Sequence, residues 1–219
     1  MITKMKVTPR RKYIKETLTP GKVFGVGIND ADYVVYPTIN GKRVACPFYF
    51  TWKSMLQRCY HKKFHKRYPT YIGCTVCEEW YVFSKFKKWM QSQDWEGNQL
   101  DKDLLVPGNK VYGPDTCLFI TAQVNTLIKE FANPEEITDY LPGVSLHHLY
   151  KFTDKDTYGK KKWLSRIKKY GETQYLGIYY TEEEAHLVFR KERKKYIKEV
   201  ADKQRPIVKE ALYNIADNL

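Results

Sequence analysis

Asp101 and Asn125, 24 positions apart, bracket the stretch DKDLLVPGNKVYGPDTCLFITAQVN. A carboxylate and an amide oxygen are hard ligands. They suit Mg²⁺ or Mn²⁺, which would keep several waters and take phosphate oxygens as its remaining ligands. Each residue alone also fits a turn or a helix cap, since both types favour those positions. Five cysteines raise a second metal question. Cys74 and Cys77 have the Cys-x₂-Cys spacing of half a zinc site, and Cys59 and Cys117 could complete a tetrahedral set, with plainly buried thiols as the alternative.

Positioning Asp101 and Asn125 together requires a strand, a loop, a second strand and a helix. Leu100, Leu104, Leu105 and Val106 flank the DKD triplet, and Pro107, Gly108 and Asn109 are turn formers that end a short first strand. After Tyr112 and the turn GPDT, the run Cys117, Leu118, Phe119, Ile120 reads as a second strand entering a helix near Thr121 that carries Gln123 and Asn125. Upstream, Thr51 to Tyr60 and Phe83 to Met90 have helical apolar spacing, with Trp52, Met55 and Leu56 on one face and Phe83, Phe86 and Met90 on the other. The segment before them alternates like a hairpin, with its turn at Asn40 and Gly41.

The ordered motifs LDKD, GNKVY, then Pro, Cys and a helix bearing Asn resemble the ββα-metal, or HNH, nuclease family, and more narrowly a phage group within it. The preceding CPFYFTWKSMLQRCY, YPTYIGCTVCEEW and FSKFKKWM resemble the same group. The resemblance implies Asp101 and Asn125 as metal ligands and places Lys102 where standard members carry a general-base histidine. A lysine needs heavy desolvation to act as a base near neutral pH, so Lys102 is expected to hold the scissile phosphate. The base is then expected among His61, His65, Tyr68 and Tyr71 of CYHKKFHKRYPTY, with the tyrosines slightly ahead. The missing histidine also leaves open an inactive hairpin kept for DNA binding.

A second block runs from Gly143 to Asp202. GVSLHHLYKF, KKWLSRIKKYG and TQYLGIYY read as three short strands. A helix follows: Thr181 and Glu184 form a capping-box pattern, and Ala185, Val188, Phe189, Tyr196, Ile197 and Val200 share one face. One helix covering one sheet face leaves the other free for a partner. Gly143, Val144, Trp163, Arg166, Ile167, Tyr175, Leu176, Gly177 and the TEEEA run from Thr181 to Ala185 resemble the APETALA2-type DNA-binding domain, also found fused to phage homing endonucleases. That resemblance implies a sheet in the DNA major groove, with Arg166 and Trp163 as leading contacts and Lys151, Lys162, Lys168 and Lys169 on phosphates. His147 and His148 stand where the family's first strand usually has arginines.

A formal net charge of +13 over 219 residues, with 15% aromatics, fits a chain that neutralises phosphates and stacks on bases or sugars. No stretch of about 20 apolar residues is present, and the basic start MITKMKVTPRRKYIK lacks an apolar core. No membrane is therefore expected as a partner and a reducing cytoplasm is expected, which the resemblance to phage proteins implies is that of a bacterial host. The expected fold class is α+β, organised as a basic arm and hairpin (1–45), an HNH-like domain with flanking helices (46–135), a linker (136–142), an APETALA2-like three-stranded antiparallel sheet with one helix (143–202) and a tail helix (203–219). The expected activity is divalent-metal hydrolysis of duplex DNA. One active site implies a nick, and a double-strand break would need a homodimer or two nicks. The alternatives are a non-catalytic DNA-binding or regulatory protein and an RNA-binding module.

Overall fold

A computed structural model describes residues 22–132, 140–147 and 162–219. The architecture is α+β, and the chain divides into two compact units, Met1–Ile120 and Thr121–Leu219. The expected linker at 136–142 lies largely outside the described residues.

The first unit opens with strands β1 (Thr38–Ile39) and β2 (Lys42–Arg43), paired antiparallel. Their turn is the Asn-Gly turn anticipated from the sequence, with Asn40 at φ 49° and Gly41 at φ 74°. Both residues need the left-handed conformation that matches strand twist, and Asn-Gly supplies it at low cost. Helix α1 (Pro47–Tyr60) starts four residues before the expected Thr51. Pro47 explains the difference: its fixed φ and missing N–H suit the first helical position. After α1 come α2 (Lys62–Arg67), β3 (Thr75–Val76) and α3 (Phe83–Gln91).

The core of this unit is aromatic. Trp52, Met55 and Leu56 of α1 and Phe83, Phe86 and Met90 of α3 are fully or almost fully buried, as their spacing predicts. The Trp52 indole N–H donates to the Trp80 carbonyl at 2.7 Å, so the largest buried ring keeps its polar bond. Each such side chain contributes about 1.5–3 kcal/mol through burial.

Strand β4 (Gln99–Asp101) pairs antiparallel with β6 (Leu118–Ile120), placing Asp101 opposite Leu118. Leu100 and Phe119 seat this pair in the aromatic core. Strand β5 (Val111–Tyr112) instead pairs parallel with β3, Thr75 with Val111 and Val76 with Tyr112.

The second unit begins at Thr121, the only residue between β6 and helix α4 (Ala122–Ala132), whose N-terminus it caps by accepting from the Val124 N–H at 3.2 Å. Strands β7 (Val144–Leu146), β8 (Trp163–Lys169) and β9 (Glu172–Tyr179) form a three-stranded antiparallel sheet in that order. Helix α5 (Glu182–Ala201) has both capping-box bonds. Thr181 Oγ1 accepts from the Glu184 N–H at 3.1 Å, and Glu184 Oε2 from the Thr181 N–H at 3.4 Å. Ala185, Phe189, Tyr196, Ile197 and Val200 are buried beneath the sheet, as their period predicts. Helix α6 (Pro206–Asp217) docks on α5 through Val208, Leu212 and Ala216, with Lys209 on Asp202 at 2.8 Å.

Gly143 shows how closely this sheet and helix approach. It has φ +76°, and a Cβ there would lie 2.1 Å from Phe189 Cδ2. Only glycine satisfies both the backbone and the ring.

Candidate active site and nucleic-acid interface

Asp101 ends β4 and is buried. Its Oδ1 accepts from the backbone N–H groups of Asp103 (2.9 Å) and Leu104 (2.7 Å), which turns the chain sharply out of the strand. Its Oδ2 takes no hydrogen bond among the described residues. Burial pushes the carboxyl above its usual range, although both backbone bonds work in the opposite direction.

Lys102 is placed differently from expectation. Its side chain is only 7% exposed, and Nζ donates to the Asn109 carbonyl and to Asp103 Oδ1, both at 2.5 Å. Asn109 answers with Nδ2, donating to the Lys102 carbonyl at 3.0 Å. Each side chain thus holds the other's backbone, and the loop between them is closed at its base. Lys102 therefore acts on the loop rather than presenting its charge to a phosphate. Asn109 also brackets Val111, donating to its carbonyl at 2.7 Å and accepting from its N–H at 3.0 Å. That role was not assigned from the sequence, where Asn109 reads as one turn former among three.

Asn125 lies in the first turn of α4, buried, its N–H bonded to the Thr121 carbonyl at 3.0 Å. Asp101 and Asn125 fall in different compact units.

The four upstream candidates for a base separate by environment. His65 Nε2 lies 2.7 Å from the Arg58 carbonyl, so that nitrogen serves as a donor. His61 Nδ1 is buried without a partner among the described residues, with the ring against Phe24. Tyr68 is 41% exposed beside Arg67. Tyr71 lies under the Arg58 guanidinium, 5.8 Å from its ring centroid. The Arg58 charge also acts on the Tyr112 hydroxyl, and the Lys102 ammonium lies 5.9 Å from the Tyr112 ring centroid. Tyr71 is thus the candidate linked to the hairpin through Tyr112. Arg58, which sequence reasoning passed over, has no carboxylate partner among the described residues.

The thiols are buried or half-buried, and all are free. Burial pushes Cys59 and Cys117 up to about 12 and raises Cys74 and Cys77 as well. Cys59 feels the charge of Cys74 and of Cys117, and the Lys102 ammonium acts on all three. The two residues between Cys74 and Cys77 form strand β3, and Cys77 lies beside Gly113, whose carbonyl accepts from the Cys117 N–H at 3.0 Å. Among the described residues, no three His, Cys, Asp or Glu side chains gather as a metal-holding group.

In the second unit, strand alternation sorts the expected DNA contacts. Trp163, Ser165, Ile167 and Lys169 share the face toward α5. Trp163 is half-buried against Tyr140, with centroids 5.1 Å apart and nearly perpendicular rings. Lys169 is bound to Glu192 of α5 at 2.5 Å. Arg166 and Lys168 are exposed on the opposite face. A register shift between Ser165 and Arg166 sets Arg166 opposite Tyr175, which is 60% exposed. Lys162 Nζ lies 5.3 Å from the ring centroid of Tyr180, itself 65% exposed. The outer face therefore carries Arg166, Lys168 and Tyr175, with Lys162 and Tyr180 at its edge. Neither tyrosine was among the expected contacts, although the alternation of the YLGIYY run could have placed Tyr175 on the outer face. Lys151 and His148 lie outside the described residues.

No family model, curated protein or solved structure matches this chain. Among the described residues, no helix is long and apolar enough to cross a membrane.

Proposed function

We propose that this chain is a metal-dependent DNA endonuclease of the ββα-metal type, carried to duplex DNA by the outer face of its three-stranded sheet. The observation that carries the reading is the setting of Asp101. It is a buried carboxylate at a strand end, with one oxygen held by two backbone N–H groups and the other uncommitted. A cation at Oδ2 would remove the cost that burial places on this charge. By the resemblance to the ββα-metal family Asn125 would be the second ligand, an amide oxygen of matching hardness, with water and phosphate as the remaining ligands. When bound, Mg²⁺ or Mn²⁺ supplies stabilisation of the leaving 3′ oxygen.

The chain's own residues supply the rest. The Lys102–Asn109 clasp fixes the loop that follows Asp101, and Arg58, free of carboxylate partners, is available to hold phosphate charge. Tyr71, coupled to Arg58 and Tyr112, is the favoured proton acceptor from water among the four upstream candidates. Arg166, Lys168 and Tyr175 would contact the duplex from the sheet. One hairpin per chain implies a nick. A tetrathiolate zinc site would need Cys77 to join Cys59, Cys74 and Cys117.

The test is incubation of the full chain with supercoiled DNA and Mg²⁺ or Mn²⁺, or with chelator, beside Asp101→Ala and Asn125→Ala. Metal-dependent conversion to open circles, reduced at least 100-fold by either substitution, is expected on the scale of losing one transition-state contact. The rival reading is a non-catalytic DNA-binding protein. It is favoured by Lys102, which stands where a base is usual yet is spent inside its own loop. Duplex binding with no cutting under any metal would decide for it.

A further inference from the structure

Helix α2 buries none of its residues, and five of its six side chains are Lys, Arg or His. No Asp or Glu occurs anywhere between Asp32 and Glu78. Lys62, Lys63, Lys66 and Arg67 are exposed, and none has an ion-pair partner among the described residues. The arrangement works against the helix itself. Lys62 stacks over Lys66 and Lys63 over Arg67 at i,i+4, and Lys62 and Lys63 occupy a first turn with no acidic residue to offset the helix dipole. The basic helix of the second unit provides a control within the same chain. On α5, Lys194 and Lys198 share Asp217, and Lys195 binds Glu192. The one Phe, Tyr or Trp ring of α2 does not offer itself to a bilayer, because Phe64 packs on Tyr68 (4.7 Å) and on Tyr71 (5.7 Å), both beyond the helix. Lys110 extends the surface: its Nζ donates to the Thr70 carbonyl at 3.0 Å, just past α2, and not to a carboxylate.

We propose that α2 is a sequence-independent contact surface for the phosphate backbone of duplex DNA, separate from the sheet face of the second unit. It rests on the proposed function only for the choice of duplex DNA as the polyanion. Six helical residues span roughly 9 Å, and a strand presents a phosphate about every 3.4 Å of axis, so α2 matches about three phosphates of one strand. Such contacts hold the backbone and read no bases.

The test is the salt dependence of binding of the full chain to a short mixed-sequence duplex. The variants are Lys62→Gln/Lys63→Gln/Lys66→Gln/Arg67→Gln, the charge-keeping Lys62→Arg/Lys63→Arg/Lys66→Arg, and the sheet variant Arg166→Gln/Lys168→Gln. The glutamine variant is expected to flatten the slope of log K against log salt by about 3, at roughly 0.9 per phosphate contact, equally for unrelated duplex sequences, while the arginine variant keeps the slope. An unchanged slope in a glutamine variant that melts like the parent overturns the proposal. So does an α2-dependent slope seen with RNA but not with duplex DNA. If only the sheet variant loses binding, α2 falls and the sheet reading stands. If only the α2 variant does, the sheet reading falls and α2 stands.

Discussion

The loop after Asp101 and the sheet-and-helix module of the second unit each contain a lysine that sequence reasoning assigned to phosphate, and each binds it internally for a different reason. Lys102 closes a loop whose base is tied by polar bonds, a buried ammonium on the Asn109 carbonyl, beside the buried Leu104. Lys169 only joins the edge of a module already fixed by Phe189, Ile197 and Ile167. Polar bonds order the first region, and shape orders the second. A lysine count measures attraction to polyanions but does not say which ammoniums remain free to act on one.

The largest expected effect strikes the region held by shape. Gly143→Ala forces a Cβ into the Phe189 ring at positive φ and should destabilise the second unit by about 3 kcal/mol or more, read by chemical denaturation. A loss below about 1 kcal/mol would mean that shape does not order this module. Next come the two lysines. Lys102→Met leaves the buried Asn109 carbonyl without its donor and should cost about 1–3 kcal/mol, whereas Lys169→Met, which leaves behind only the partly exposed Glu192 carboxylate, should cost about 1 kcal/mol. Equal losses would erase the distinction between the regions.

The smallest effect is a difference of sign with pH. Burial raises the Asp101 carboxyl, so its favourable contribution is present below the unfolded pKa and is lost as pH rises through the folded value, from about pH 4 upward. The hydrogen bond from Lys169 lowers the Glu192 carboxyl. Its contribution is present above the unfolded value, near pH 4, and is lost as pH falls through the folded one, though solvent exposure keeps it small. Subtracting the stability profiles of Asp101→Asn and Glu192→Gln from that of the parent should give slopes of opposite sign. Slopes of the same sign would show that the two carboxylates are not in contrasting environments.

The elements that follow a local period were legible. Trp52, Met55 and Leu56 at helical spacing, the Asn40–Gly41 turn and the Thr181–Glu184 capping box each encode their structure within a few residues, because the forces that form them act over one turn. The candidate site was legible as residue types and less so as roles. Asp101 stood out only through the ordered LDKD, GNKVY, Pro, Cys and Asn-bearing helix pattern, since alone it also fits a turn, whereas Asn109 looked like a turn residue and Arg58 like part of a basic run. Their partners, Lys102 and Tyr112, come from other turns of the chain.

By itself, the sequence determined the mixed α and β content, the three strands with their capped helix, and the excess of positive charge. Only the tertiary structure decided which charges are free. It turned Arg166 and Lys168 outward and bound Lys102 and Lys169 to carboxylates. The physical reason is range. Hydrophobic period and capping are written in neighbours, but the fate of a long charged side chain depends on what the fold brings within about 3 Å of its tip, and that neighbour can lie anywhere in the chain.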